Sequence, residues 1–449
     1  MRKNVGLAQR LGTFDVALIV VGSVIGSGIF RTPSVVAHRA PMPAIIVAVW
    51  IAGGIVSLCG VFVLGELAAR RPDECGVYAQ LRDAFHPVVG FAYGWSALLA
   101  LLSGGLAAAA ILFSGYFIAL TGLALPASFV AAITLGLLAI LNSFGVRGGA
   151  TTQNVLTLLK LAPLFALIVA AFVVHLSSQP QPAPLGAASL GPLGAAAAFA
   201  VAMIPALFAY TGAQVANFVT AETKDAARTL PLGLALGMIG VGLVYVLVNV
   251  ACLRLLGAGG LARTDVPFAV AMAHVTGPVG TRVASIAIAV TTLGFISNRM
   301  LTVPRLYHAM AAGGHFFRGV AWIHPRTHAP VAAIVLQAVV AIAIVFSASY
   351  GQIINFVVVI AYGFGGLLGI ALFVLRARDR RSGVQWNGGF RAPLHPVSTL
   401  IFVLASFGAV IATCVAYPLD ALFGLAVVAS AAPMYFVLTR TRLAKGAAT

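Results

Sequence analysis

Long apolar runs separated by short polar segments are the feature that most constrains the fold of this chain. Residues 43–69, for example, contain a single charged side chain, that of Glu66. A membrane-spanning helix needs about 20 predominantly apolar residues, and the runs are close to this length or longer. Only 8% of the residues are charged, whereas a water-soluble domain carries about a quarter. The sequence therefore excludes a water-soluble protein and predicts an all-α membrane protein.

The apolar runs predict a single transmembrane domain, residues 1–449, with twelve membrane-spanning helices. A transmembrane β-barrel would instead need short segments of alternating polarity, which the sequence does not show. Polar residues, Pro and Gly mark the ends of the runs. The predicted spans are 13–38, 43–69, 87–120, 126–144, 151–175, 194–221, 231–256, 278–311, 330–348, 352–376, 396–417 and 419–439.

The net charge of +17 comes from short basic clusters between the spans rather than from one basic surface. With an even number of spans and both termini inside, these clusters face the cytoplasm. On this topology, the basic residues on the outer side are about four, namely Arg39, Arg254, Arg263 and Arg282. This is the positive-inside bias of membrane proteins, so we expect cytoplasmic termini and a bacterial inner membrane. The charge orients the chain in the lipid bilayer, and we expect no nucleic-acid partner.

Two spans are interrupted near their middle by small or helix-breaking residues. Span 1 contains Gly26-Ser27-Gly28, and span 6 contains Phe208 between Pro205 and Gly212. Interrupted helices at corresponding positions of two halves are typical of secondary transporters that bind their substrate at the membrane midplane. The alternative is that the small residues of span 1 only let neighbouring helices pack closely.

A broken helix offers a specific binding chemistry. Its interruption exposes backbone N–H groups at the start of one half-helix and C=O groups at the end of the other. The N–H end suits a carboxylate and the C=O end suits an ammonium group. An α-amino acid carries both groups on one carbon, so it matches two adjacent half-helix ends.

Charged side chains within the predicted spans are rare, and each marks a candidate functional position. Lys160 either snorkels to the membrane interface or is a buried amine held by backbone carbonyls. Glu66 lies beside Arg70, which favours a structural ion pair over a role in coupling. Arg299 either lines the cytoplasmic pathway or snorkels, and Arg31 is a candidate for the outer vestibule, where it would favour anionic substrates.

Catalytic motifs and paired intramembrane carboxylates are absent from the sequence, so we expect no enzymatic activity. The four cysteines are scattered without the spacing of a metal site. We therefore expect neither a cofactor nor a bound metal.

Motifs along nearly the whole chain resemble those of the amino acid–polyamine–organocation transporters. Within this family the sequence is most similar to the L-type amino acid transporter branch. The resemblance rests on residues 22–33, 66–78, 141–160, 208–231, 304–330 and 390–396.

The resemblance implies a LeuT-type fold with broken spans 1 and 6. In this fold, residues 13–175 (spans 1–5) and 194–376 (spans 6–10) are inverted repeats of five helices each. Residues 396–439 add two C-terminal helices, spans 11 and 12.

The resemblance also implies the roles of individual residues. The substrate carboxylate would bind the N–H groups of Gly26, Ser27 and Gly28. The ammonium would bind carbonyls near Val24 and Ile25 and those of Phe208 and Thr211, with Ala209 and Tyr210 completing this segment of the site. Phe208 would gate the substrate. Lys160, close to Gly22 and Ser297, would replace a sodium ion.

These implications predict a sodium-independent transporter of amino acids, with neutral side chains expected, that works by alternating access as an exchanger or with protons. An amine or polyamine transporter and an amino-acid sensor of the same fold are the alternatives. The outer loop around residues 120–126 has no cysteine, so we expect no disulfide-linked heavy chain.

Overall fold

The computed structural model describes residues 11–70, 76–144, 150–173, 192–314, 316–325, 327, 329–383 and 389–446. Within these ranges it describes all side chains except those of Ser27 and of residues 150–160, 192, 218–222 and 439–446.

Sixteen α-helices account for most of the described chain. They are α1 (Thr13–Val24), α2 (Ser27–Arg39), α3 (Pro43–Arg70), α4 (Gly76–Ala84), α5 (Pro87–Ser96), α6 (Leu102–Thr121), α7 (Ala127–Ser143), α8 (Ala150–Val173), α9 (Pro192–Ala209), α10 (Ala226–Ala262), α11 (Pro267–Thr302), α12 (Pro304–Ala312), α13 (Val331–Ser347), α14 (Tyr350–Ser382), α15 (Val397–Ala416) and α16 (Pro418–Gly446).

The helices confirm a multi-span membrane protein. In the described ranges, eight helical segments are long and apolar enough to cross a membrane, or nine if the bent pair α1 and α2 is one span. Three shorter apolar helices, 127–143, 161–173 and 331–347, lie where spans 4, 5 and 9 are predicted. The twelve-span topology requires these three to cross as well, and it stays a prediction.

Large apolar side chains project outward from the helices that surround the bundle. Leu137 on α7, Leu243 on α10, Leu404 on α15 and Leu422 on α16 are all more than half exposed. An apolar outer surface of this kind is stable in lipid and would be unfavourable in water. The exposed surface and the buried interior are therefore both apolar, as a membrane-embedded bundle requires.

Several predicted helix ends differ from the observed ones, and those between spans 7 and 8 are instructive. The structure continues α10 to Ala262 and begins α11 at Pro267, beyond the predicted boundaries of 256 and 278. The backbone is non-helical at Gly257 and at Gly277, so each helix bends there. The sequence features that predict helix ends here therefore mark kinks within longer helices.

The centre of the bundle is formed by α1 and α3 packed along α10, with α2 packed along α9. The rings of Trp50, Tyr210 and Tyr245 pack against one another with centroids 5.0–5.9 Å apart. This aromatic cluster fixes α3, the end of α9 and α10 relative to each other.

At the end predicted to be cytoplasmic, a buried carboxylate joins three parts of the chain. Glu66 on α3 is fully buried and accepts hydrogen bonds from Nε and Nη2 of Arg376 on α14 at 2.9 and 2.5 Å. It also accepts from Arg70 at 3.1 Å and from the backbone N–H of Ala392 at 2.8 Å. Arg70 in turn pairs with Asp379 at 2.7 Å. The predicted ion pair at Glu66 is confirmed, and it is part of a larger network.

We expect Glu66→Gln to lower the stability of the folded protein by about 3 kcal/mol or more, because it leaves buried guanidinium groups without their counter-charge. Thermal unfolding of the purified protein in detergent measures this loss. Asp265→Asn is the matched control, because Asp265 is 83% exposed and exposed ion pairs contribute about 0–1 kcal/mol. Equal unfolding temperatures for both variants would contradict the structural role of Glu66.

Candidate functional site

The first half of the site is the break between α1 and α2. α1 ends at Val24, Ile25 is extended with ψ of 93°, and α2 begins at Ser27 after Gly26. The two half-helices are bent by 49°. No side chain caps the start of α2, so its first N–H groups are available to an anion.

The second half is the turn that ends α9. The helix stops at Ala209, and a 3₁₀ segment begins at Ala213. Gly212 has φ of +129°, a conformation that strongly favours glycine. The carbonyl of Phe208 accepts the N–H of Thr211 at 3.1 Å and its hydroxyl at 2.7 Å. Both predicted breaks are therefore present in the backbone.

The two breaks are in direct contact. A methyl group on Gly28 would lie 2.7 Å from the Cα atom of Ala209, so only glycine permits this approach of the two backbones. The hydroxyl of Tyr245 on α10 lies 3.1 Å from the carbonyl oxygen of Val24 and 3.2 Å from that of Ala209. Tyr245 thus joins the ends of α1 and α9. No pattern in the sequence indicates this role.

A small cavity lies at the junction. It brings together six of the residues predicted for the substrate site. These are Val24, Gly26, Gly28, Phe208, Ala209 and Thr211.

The other predicted residues lie outside this cavity or cannot be placed in it. Ile25 is 1% exposed and belongs to the core. Tyr210 donates its hydroxyl to the carbonyl of Trp50 at 2.9 Å, and it lines a neighbouring, larger cavity. The side chain of Ser27 is outside the described residues.

Two of the residues predicted for coupling, Gly22 and Ser297, also lie outside this cavity. Gly22 is buried within α1. Ser297 on α11 accepts a hydrogen bond from Asn142 of α7 at 3.2 Å. The side chain of Lys160 is outside the described residues, so its proximity to Gly22 and Ser297 stays a prediction.

Arg299 on α11 is the main site residue whose role the sequence left open. It is 7% exposed and lines the cavity, so it does not snorkel. Its Nη2 donates to the carbonyl of Ser23 at 3.2 Å, and its guanidinium carbon lies 5.0 Å from the ring centre of Phe295. A methyl group on Gly212 would lie 2.9 Å from Nη2. The turn after α9 therefore makes room for this side chain.

A layered set of contacts covers the cavity on the side predicted to be outer. Arg31 on α2 pairs with Asp265 at 3.0 Å and lies over the ring of Tyr350 at 4.6 Å. The Tyr350 ring meets Phe208 edge to face, with centroids 6.3 Å apart. Arg31 therefore lies between two partners that are distant in sequence, and its role in an outer vestibule stays a prediction.

An all-helical, multi-span bundle with two broken helices around a small central cavity defines the class of membrane transport proteins with discontinuous helices. The amino acid permease family model matches residues 11–438, which is most of the chain. The chain therefore belongs to the amino acid permease family, a family of transporters and not of enzymes.

Characterised relatives cover nearly the whole chain. The serine/threonine exchanger SteT of Bacillus subtilis is 24% identical over 97% of this chain and 98% of its own length. The human b(0,+)-type amino acid transporter 1 is 26% identical over 83% of this chain and 77% of its own length. The human large neutral amino acids transporter small subunit 2 is 28% identical over 97% and 81%, respectively.

The cavity predicts a matched pair of glycine variants on α6. Gly105 lines the cavity, and a methyl group on it would meet no atom within 4 Å. We expect Gly105→Leu to reduce substrate affinity roughly tenfold or more, because the side chain occupies the cavity. Gly115 on the same helix also has open space but is exposed, so Gly115→Leu is the control. Substrate binding to the purified variants measures the effect, and equal affinities would contradict the assignment of this cavity.

The contact between Phe208 and Tyr350 predicts that Phe208→Ala slows transport more than it destabilises the fold, because the ring covers the cavity. The rate of substrate uptake and the unfolding temperature are the two measurements. Phe91 is fully buried against Trp95, away from the cavity, and Phe91→Ala should cost about 3–5 kcal/mol of stability with normal uptake by the folded fraction. If Phe208→Ala also loses stability while its folded fraction takes up substrate normally, Phe208 is an ordinary core residue.

Proposed function

We propose that the protein is a sodium-independent secondary transporter of α-amino acids that works by alternating access. The observation that carries this proposal is the junction of the two broken helices on one cavity. The uncapped start of α2 and the C-terminal end of α1 face the same small volume. A carboxylate and an ammonium group on one carbon fit these two ends.

The hydrogen bonds of the junction narrow the position of the ammonium group. The carbonyl of Phe208 already accepts two hydrogen bonds from Thr211, which fills both of its lone pairs. The carbonyls at the end of α1 are therefore the better acceptors, with Ile25 ahead of Val24, whose carbonyl already lies 3.1 Å from the hydroxyl of Tyr245. The carboxylate then lies toward Gly26, Ser27 and the N–H of Gly28, as the resemblance implies.

Sodium independence rests on a fixed positive charge in place of the ion. The family resemblance assigns this charge to Lys160, near Gly22 and Ser297. We propose that its amine donates hydrogen bonds to backbone carbonyls of α1. Lys160 would thereby connect its own helix, α8, with α1 and α11. A buried amine is costly unless such carbonyls satisfy it.

The same reasoning proposes twelve spans, arranged as two inverted repeats of five and two further helices. The positive-inside bias then places both termini in the cytoplasm of a bacterial cell. Because residues 120–126 contain no cysteine, we propose that the protein functions without a disulfide-linked heavy chain. Polyamines are poor substrates on this proposal, because the lining of the cavity contains no acidic side chain.

Uptake into proteoliposomes tests this function. We expect saturable uptake of a radiolabelled L-amino acid from a panel of all side-chain classes, unchanged when sodium is replaced by choline at constant pH. Acceleration by unlabelled amino acid inside the vesicles would identify exchange, and acceleration by an inward proton gradient would identify proton symport. Lys160→Ala should impair uptake while the protein still inserts into the membrane.

The outcomes separate the parts of the proposal. Loss of uptake in choline would overturn sodium independence alone, and full activity of Lys160→Ala would remove Lys160 from the coupling machinery. Uptake of putrescine or spermidine without uptake of any α-amino acid would overturn the substrate class. Binding of an amino acid without uptake or exchange would instead identify a sensor.

A further inference from the structure

A buried arginine with incomplete hydrogen bonding is the strongest unexplained feature of the cavity wall. Arg299 makes one hydrogen bond through Nη2 to the carbonyl of Ser23, and its Nε is buried without a hydrogen-bond partner. A guanidinium group carries five N–H donors. Burying it with so few acceptors is unfavourable, unless something else supplies them.

The unpartnered Nε belongs to the wall of the cavity. Among the residues that line the cavity, Arg299 is the one described with a buried polar side-chain atom that has no partner. Buried polar groups are nearly always hydrogen-bonded in folded proteins. A ligand in the cavity that accepts hydrogen bonds would satisfy this donor.

An anion is the ligand that suits Arg299. Among the described residues that line the cavity none is acidic, so this lining supplies no counter-charge to Arg299. The guanidinium rests on the face of Phe295, a contact that keeps it in place without neutralising it. A carboxylate satisfies a guanidinium through short charge-assisted hydrogen bonds.

The cavity then has two separate anion-binding ends. One is the start of α2 beside Gly28, and the other is Arg299, which binds Ser23 at the end of α1. Both line the same cavity. A neutral amino acid has one carboxylate for these two ends, whereas an acidic amino acid has two.

We propose that Arg299 binds the side-chain carboxylate of an acidic amino acid substrate. This inference rests on the proposed function and names its substrate class. It replaces the expectation of neutral side chains, which came from resemblance to a family branch and not from the residues of this cavity. Arg299 is thereby a specificity-determining residue.

Competition binding to the wild-type protein is the first test, because it needs no variant to fold. Radiolabelled L-glutamate in proteoliposomes is displaced by L-glutamate, L-glutamine or 4-aminobutyrate, which lacks the α-carboxylate. We expect L-glutamate to bind roughly ten- to a hundredfold more tightly than L-glutamine, the range of one charged hydrogen-bonded pair. We expect 4-aminobutyrate to compete poorly, because its single carboxylate cannot bind Arg299 and the start of α2 together.

Matched variants assign the effect to Arg299. Arg299→Gln should abolish the preference for L-glutamate over L-glutamine. Arg39→Gln is the control, because Arg39 also donates to a backbone carbonyl but does not line the cavity. An equal loss of the preference in Arg39→Gln would overturn the assignment to Arg299.

The results that would overturn this inference differ from those that would overturn the proposed function. Tight binding of L-glutamine or other neutral amino acids with no binding of L-glutamate or L-aspartate would overturn this inference and leave amino acid transport intact. Neutral amino acid uptake that requires chloride would assign Arg299 to an inorganic anion, which also overturns it. Failure of every amino acid to bind would overturn the proposed function itself.

Discussion

The close contact of Gly28 with Ala209 is the constraint on which the rest of the site depends. Two helix interruptions could lie anywhere in a bundle of this size, but here the backbones meet at a distance that any side chain at position 28 would prevent. Tyr245 then binds a carbonyl from each interrupted helix. Without this contact, the N–H end of α2 and the carbonyl end of α1 would not share one cavity with the turn after α9. The ligand chemistry follows from the packing of two backbones.

Two buried charged groups show opposite solutions to the same energetic problem. Glu66 is surrounded by guanidinium donors and a backbone N–H, so its charge is fully satisfied and its role is structural. Arg299 has one backbone acceptor, and no acid lies among the residues that line its cavity. A charge retained in an apolar bundle without its partner is costly. Whether a buried charged group has all its hydrogen-bond partners therefore distinguishes the structural ion pair of Glu66 from the proposed binding group Arg299. Burial alone does not distinguish them.

The sequence predicted the helical class, the approximate positions of the helices and both interruptions, because apolar runs and Gly or Pro positions are local signals. It also predicted the ion pair of Glu66 with Arg70, which are one helical turn apart. Contacts between distant segments left no such signal. Tyr245, and Tyr350 with Arg31, reach partners more than 200 residues away in the chain. For the same reason the sequence left Arg299 with two alternative roles, and only its surroundings distinguish them.

The two sides of the cavity are closed very differently. On the predicted outer side, an ion pair, a cation–ring contact and an edge-to-face ring pair lie one above another. On the other side, Thr211 and Gln214 line both the central cavity and the neighbouring larger one, so a single turn of chain separates them. Such an asymmetry cannot set the direction of net transport, which concentration gradients determine. For the proposed alternating-access transporter, it bears on the resting conformation of the empty protein, and we expect loading from one face and release at the other to proceed with different kinetics.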